Sequence, residues 1–221
     1  MGFESKSQNL KFKIWKATAF LACLLPLASL VWDGFTDNLG ANPIEVITRS
    51  VGVWTLTLLL ITLSVTPLRK LTGWNDLIKF RRMFGLFAFF YGCLHFTTYI
   101  WLDQFFDLHE IIKDVMKRPF ITVGFASFTL LIPLALTSTR KMIARLGKRW
   151  QQLHRVVYLI AIGGVVHFYW LVKADTFRPL LYGASLALLL GFRLVTSSAL
   201  NRVKVSRPEA RPLVGEGRVR N

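Results

Sequence analysis

Residues 119–139 read PFITVGFASFTLLIPLALTST, 21 positions without one charged side chain. An α-helix rises about 1.5 Å per residue, so roughly 20 apolar residues cross the hydrocarbon core of a bilayer. The run is long enough to span. Similar uncharged runs lie on both sides of it: 83–102 with 20 residues and 50–68 with 19, then 156–172 with 17, 17–32 with 16 and 179–192 with 14. Lys16, Arg155, Arg178 and Arg193 flank the shorter runs. Their stems can lie along the apolar stretch while the charged heads stay at the interface. A water-soluble core of this size does not hold so many long uncharged stretches. The expected fold class is an all-α membrane protein, a six-transmembrane-helix bundle. The first run is read as a span and not as a cleaved leader, because Pro26 and bulky residues continue through it without a small-x-small site.

The formal charge of +16 invites a nucleic-acid reading, but its distribution argues otherwise. Of the 28 lysines and arginines, 21 fall before the first run, in 69–82, in 140–149 and from 193 onward. Those segments share one side of a six-span chain. The connection 33–45 has no basic residue, 103–118 has three and 173–178 has two. By the positive-inside rule the basic side is cytoplasmic, which puts both termini there and makes nucleic acid the less economical partner. The expected organisation is a basic N-terminal segment, 1–16, a membrane domain, 17–200, and a basic disordered tail, 201–221, in the inner membrane of a bacterium. Between spans, 33–45 reads as an irregular loop. The segment 68–82 is a basic loop with at most one interfacial turn, and 139–149 is a basic connection. Leu108, Ile111, Ile112 and Val115 sit on a helical spacing and predict a short interfacial helix. No internal repeat is legible.

Cys23 and Cys93 both fall inside spans and form neither a metal spacing nor a CxxCH attachment motif. There is no P-loop and no GxGxxG after a strand. The 28 residues after Arg193 are too few for a flavin or nicotinamide domain. Electrons, if the chain handles them, are expected to come from another molecule.

The histidines carry the chemistry. His95, His154 and His167 lie in or at the edges of spans, where an ionisable side chain is costly and is a functional candidate by default. Neutral imidazole is also a common ligand of haem iron. His95 stands about 12 Å and His167 about 9 Å from the same membrane boundary, counted along their helices. Two imidazoles at one depth on two helices suit the axial sites of one six-coordinate, non-covalent b-type haem. His154 lies 13 residues before His167. It suits either a second haem below the first or a hydrogen bond to a neighbouring helix. An ideal helix turns His154 and His167 onto different faces unless Gly163-Gly164 reshapes it. The third span has Arg81 and Arg82 at the depth of His154. His109 reads as a solvated loop residue. Phe84, Phe87, Phe89, Phe90, Tyr91 and Phe96 either line a cofactor pocket or pack as ordinary membrane aromatics. Two other functions compete: a histidine-dependent proton or ion transporter, which lacks an intramembrane carboxylate to couple with, and a non-catalytic anchor.

The residues around these histidines carry a resemblance over residues 10–200. They are Arg81-Arg82-Met83-Phe84-Gly85-Leu86 leading to Leu94-His95, Arg118-Pro119-Phe120-Ile121-Thr122-Val123-Gly124, and Leu136-Thr137-Ser138-Thr139. Then follow Leu146-Gly147-Lys148-Arg149-Trp150-Gln151-Gln152-Leu153-His154-Arg155 and His167. Together they resemble the MsrQ (YedZ) family, the haem-binding membrane subunits of bacterial protein-methionine-sulfoxide reductase systems. More distantly they resemble the ferric-reductase-like transmembrane domain shared with NADPH oxidases, which carries two histidines on each of two helices. This chain departs from that pattern by having one, His95, on its third span. The resemblance implies electron delivery from the quinone pool or a cytoplasmic flavin reductase to a periplasmic, molybdenum-containing catalytic subunit. That partner repairs oxidised methionine in envelope proteins. The resemblance also implies FMN, for which no motif gives a location.

Overall fold

The structure is a computed structural model that describes residues 2–172 and 174–205. Among these, all regular structure is helical, and six helices are long and apolar enough to cross a membrane. They are Leu10–Phe35, Pro43–Thr72, Asn75–Asp103, Pro119–Leu136, Lys148–Leu171 and Phe177–Thr196; four contain a whole uncharged run, and the runs 119–139 and 156–172 pass the ends of theirs by three residues and one.

The helix ends follow from local chemistry. α1 (Gly2–Phe35) runs from the basic lead-in into the first span without a break. α2 (Pro43–Thr72) has Pro43 in its first turn, and the Asn42 side chain accepts the N–H of Glu45. It stops at Gly73, whose φ of 70° few other residues adopt at no cost, with the Gly73 N–H returned to the Arg69 carbonyl. The expected loop at 68–82 is therefore short, since α2 continues to Thr72 and α3 (Ile78–Thr98) follows one 3-10 turn. α3 passes into a π-helical turn at Tyr99–Asp103. The short helix expected between the third and fourth spans is α4 (Leu108–Lys117), capped by the Asp107 carboxylate on the N–H groups of His109 and Glu110.

α5 (Pro119–Leu136) is the stretch quoted first. The basic connection after it is helical, α6 (Arg140–Leu146), because the Thr139 hydroxyl caps Met142. α7 (Lys148–His154) and α8 (Val157–Leu171) are one span interrupted at Arg155–Val156. The helix is continuous through Gly163-Gly164, and its interruption falls near the basic end. α9 (Phe177–Val205) closes the bundle and stays helical through the first residues of the expected tail. The remainder of that tail lies outside the described residues.

In lipid the apolar drive between helices is weak, and contact rests on close packing and small residues. Ala88 and Ala161 are fully buried, with Leu58, Leu63, Tyr91 and Ile160 around them. Leu21, Trp32, Leu188 and Leu194 point outward, as an acyl-chain solvent permits. Tyr91 ties α1 to α3. Its hydroxyl accepts the N–H of Leu27 and donates to the carbonyl of Cys23, one turn below Pro26 and Leu27. Both cysteines are free.

α2 packs along α3, and α5 packs along α8, and these two pairs repeat one another. In each, a histidine on the second helix bonds a backbone carbonyl on the first across the same separation of 47 residues. In each, a glycine one turn after that carbonyl lies under the imidazole. A repeat was not expected from the sequence, because it is carried by backbone contacts and isolated glycines.

Candidate functional site

His95 comes from α3 and His167 from α8. His95 Nδ1 lies 2.9 Å from the Thr48 carbonyl oxygen, and His167 Nδ1 lies 2.6 Å from that of Phe120. A carbonyl can only accept, so the proton sits on Nδ1 in both rings. That leaves each Nε2 with a free lone pair, the tautomer a metal ligand requires. The ring centroids stand 6.1 Å apart with planes at 72°. Two imidazole nitrogens bonded to one metal at about 2 Å each would place ring centroids about 6 Å apart. At the observed separation His95 and His167 could hold one metal between them.

Close backbone approach makes this possible. A Cβ on Gly124 would stand 2.7 Å from His167 Nδ1 and 2.9 Å from its Cε1. One on Gly52 would meet His95 Nδ1 and Cε1 at 3.0 Å. The glycines let each imidazole lie flat against the neighbouring helix and reach a carbonyl one turn away. Gly52 and Thr48 drew no notice in the sequence. The signal was an equal spacing from glycine to histidine in both halves.

Both imidazoles line one cavity of about 310 Å³, walled by Leu56, Leu59, Phe96, Phe125, Phe128 and Leu131 among others. Phe96 and Phe128 stack at 4.8 Å. Of the aromatic cluster on the third span, Phe96 lines the cavity, while Phe84, Phe87, Phe89 and Tyr91 pack into the helix core. Among the described residues no three His, Cys, Asp or Glu side chains converge on a point. Two imidazoles in an apolar slot suit a metal whose remaining ligands come from a macrocycle.

His154 stands apart from this pair and does not line the cavity. It stacks on Trp150 at 4.0 Å, and its Nε2 is 3.1 Å from the Thr137 hydroxyl. Trp150 Nε1 donates to the Thr137 carbonyl, so the three residues tie α7 to the end of α5. Counting 13 residues back from each cavity histidine gives His154 in one half and the exposed Arg82 in the other. His154→Ala should cost about 1–2 kcal/mol of stability through the lost bond and stack. The spectrum of a haem held by His95 and His167 should be unchanged; loss of that low-spin signal in a folded His154→Ala protein would contradict the assignment. His109 is exposed on α4.

The comparisons with known proteins fit this geometry. The family model of the ferric reductase like transmembrane component matches residues 51–165, which contain both helix pairs except the start of α2 with Thr48 and the end of α8 with His167. Similar relatives carry the name protein-methionine-sulfoxide reductase heme-binding subunit MsrQ, three of which illustrate the match. The one from Herminiimonas arsenicoxydans is 58% identical over 182 residues, covering 81% of this chain and 84% of its own. The Azospira oryzae protein is 53% identical over 204 residues, 90% and 88% of the two chains. That of Bordetella pertussis is 54% identical over 181 residues, 81% and 88%. No solved structure matches. At such identity over most of both lengths, this chain belongs to the MsrQ family and is built on a ferric-reductase-like transmembrane domain.

Proposed function

We propose that the chain is a transmembrane electron relay. In this reading His95 and His167 are the axial ligands of a b-type haem, and the reduced equivalents leave for a methionine sulfoxide reductase. The observation that carries the reading is the pair of imidazoles, each with its Nδ1 proton on a backbone carbonyl, facing one apolar cavity 6.1 Å apart. The relatives' names, which say heme-binding subunit, support it. The haem, when bound, supplies a one-electron centre that needs no proton. The chain's own residues do the rest. The carbonyls of Thr48 and Phe120 fix the tautomer and ring plane and raise the basicity of Nε2. Gly52 and Gly124 hold the helices close enough for that. Phe96, Phe125 and Phe128 exclude water, which favours transfer of an electron over side reactions.

The charge asymmetry supports a cytoplasmic basic face, with both termini there, in the inner membrane. The chain is then one membrane domain, 17–200, between the basic segments 1–16 and 201–221. Reporter fusions after Asp37 and Asp107 should read periplasmic and one after Gly147 cytoplasmic. A cytoplasmic reading after Asp107 would invert the orientation. Donors in this reading are the quinone pool or a reduced flavin at the basic side, with FMN as a carrier by resemblance. The acceptor is a periplasmic, molybdenum-containing reductase subunit. Asp103, Asp107 and Glu110 lie on its side of the bundle and give an acidic surface for docking.

The relay reading is tested by reducing the haem in membranes and following its reoxidation. Addition of the periplasmic reductase with a methionine sulfoxide substrate should accelerate reoxidation at least tenfold over either alone. A rate indifferent to the pair would leave the haem protein standing but remove this pathway.

A further inference from the structure

We propose that the mouth of the cavity, where Arg49 and Arg118 stand beside the hydroxyls of Thr48 and Tyr99, holds the two carboxylates of the porphyrin; this rests on the haem reading above. The cavity is apolar through its depth, and its charges gather at one end. Arg49 sits in the second turn of α2, Asp103 closes the π-helical end of α3, and Arg118 joins α4 to α5. These ends share one side of the bundle and line the same cavity as the histidines. A b-type porphyrin is likewise an apolar plate with two carboxylates along one edge. The match fixes which edge faces the mouth.

The donors are free to take that role. Arg118 touches the Asp114 carboxylate through Nε at 3.3 Å, which leaves its two terminal amino groups to reach a further acceptor. Arg49 makes only a 3.9 Å contact with Glu45, and both are half-exposed, so the pair contributes little. The Thr48 hydroxyl is buried without a hydrogen bond, and the Tyr99 hydroxyl has the Asp114 carboxylate as its neighbour. A buried hydroxyl in the state of Thr48 calls for a partner. Asp103, Asp114 beside Arg118 and Glu45 beside Arg49 all oppose an incoming anion, so the recognition rests on hydrogen bonds donated by the two planar guanidinium forks and not on net charge.

The test uses the full chain, purified in detergent without haem and titrated with protohaem or with its dimethyl ester, which cannot ionise. Wild type should bind the acid about tenfold or more tightly than the ester, as expected for a truncated charge pair. Arg49→Gln with Arg118→Gln should abolish that preference while keeping the bis-imidazole spectrum. Arg→Lys at both sites should restore part of it, and the haem midpoint potential should fall in the glutamine variant because a nearby cation favours the reduced iron. Equal binding of acid and ester by wild type would overturn the proposal, as would a preference that persists in the folded double variant. If the double variant does not fold, the wild-type comparison of acid with ester still decides. A wild type that binds neither compound overturns the haem reading itself, and that failure appears before any arginine is changed.

Discussion

His95→Ala and His167→Ala should each remove most of the haem, lowering content by about tenfold to a hundredfold in membranes or purified protein. Loss of a second-shell partner alone typically costs that much metal affinity, and here the ligand itself is lost. Each ring occupies a site that nothing else fills. Across the cavity the remaining imidazole still has its carbonyl, so the fold should survive, and a vacated ring volume can admit a small base. Added imidazole should therefore return a low-spin spectrum to either variant. The measurement is the pyridine haemochrome content beside the reduced-minus-oxidised spectrum, with His109→Ala as the control that changes neither. Full haem content with an unaltered spectrum in both variants would remove His95 and His167 from the site. The transporter and anchor alternatives predict instead that the wild type itself shows no haem spectrum, since neither requires a redox centre.

The six spans were legible because length without charge is a property of composition, and each uncharged run coincides with one observed helix to within three residues at its end. The adjacency of His95 and His167 was legible for a related reason: helical rise is constant, so depth can be counted from the nearest charge. What could not be counted was direction around the axis. The interruption at Arg155–Val156 and the stacking of His154 on Trp150 depend on side chains from α5 that sequence spacing does not bring near. The helical state of residues 140–146 was missed because a basic loop and a capped basic helix have the same composition. Thr139 at the cap position was the available signal. Gly52 and Gly124 were hidden in a different way. A glycine in a membrane helix is common, and only the ring lying against it distinguishes these two.

Gly124→Ala is accordingly the substitution in which the smallest change should have the largest effect. Within a helix, glycine to alanine is itself favourable by about 1 kcal/mol, so an exposed position should gain stability. At Gly124 the new methyl would stand 2.7 Å from His167 Nδ1, well inside van der Waals contact, on the side where Nδ1 bonds the Phe120 carbonyl. The ring cannot retreat and keep that bond. It must turn or move into the cavity, which displaces Nε2 from the axial line and leaves the proton of Nδ1 without its acceptor. We expect haem content to fall about tenfold, in the range seen when a second-shell partner of a metal ligand is lost. Gly52→Ala, where the contact is 3.0 Å, should show a smaller loss and a broadened spectrum. Gly191→Ala has nothing within 4 Å and should match wild type or exceed it in thermal stability. The order of haem content should thus be Gly191→Ala, Gly52→Ala, Gly124→Ala. Wild-type haem and spectrum in Gly124→Ala would show that the His167 ring does not lie on α5 when the site is loaded, and the tautomer argument for that half of the site would fall with it.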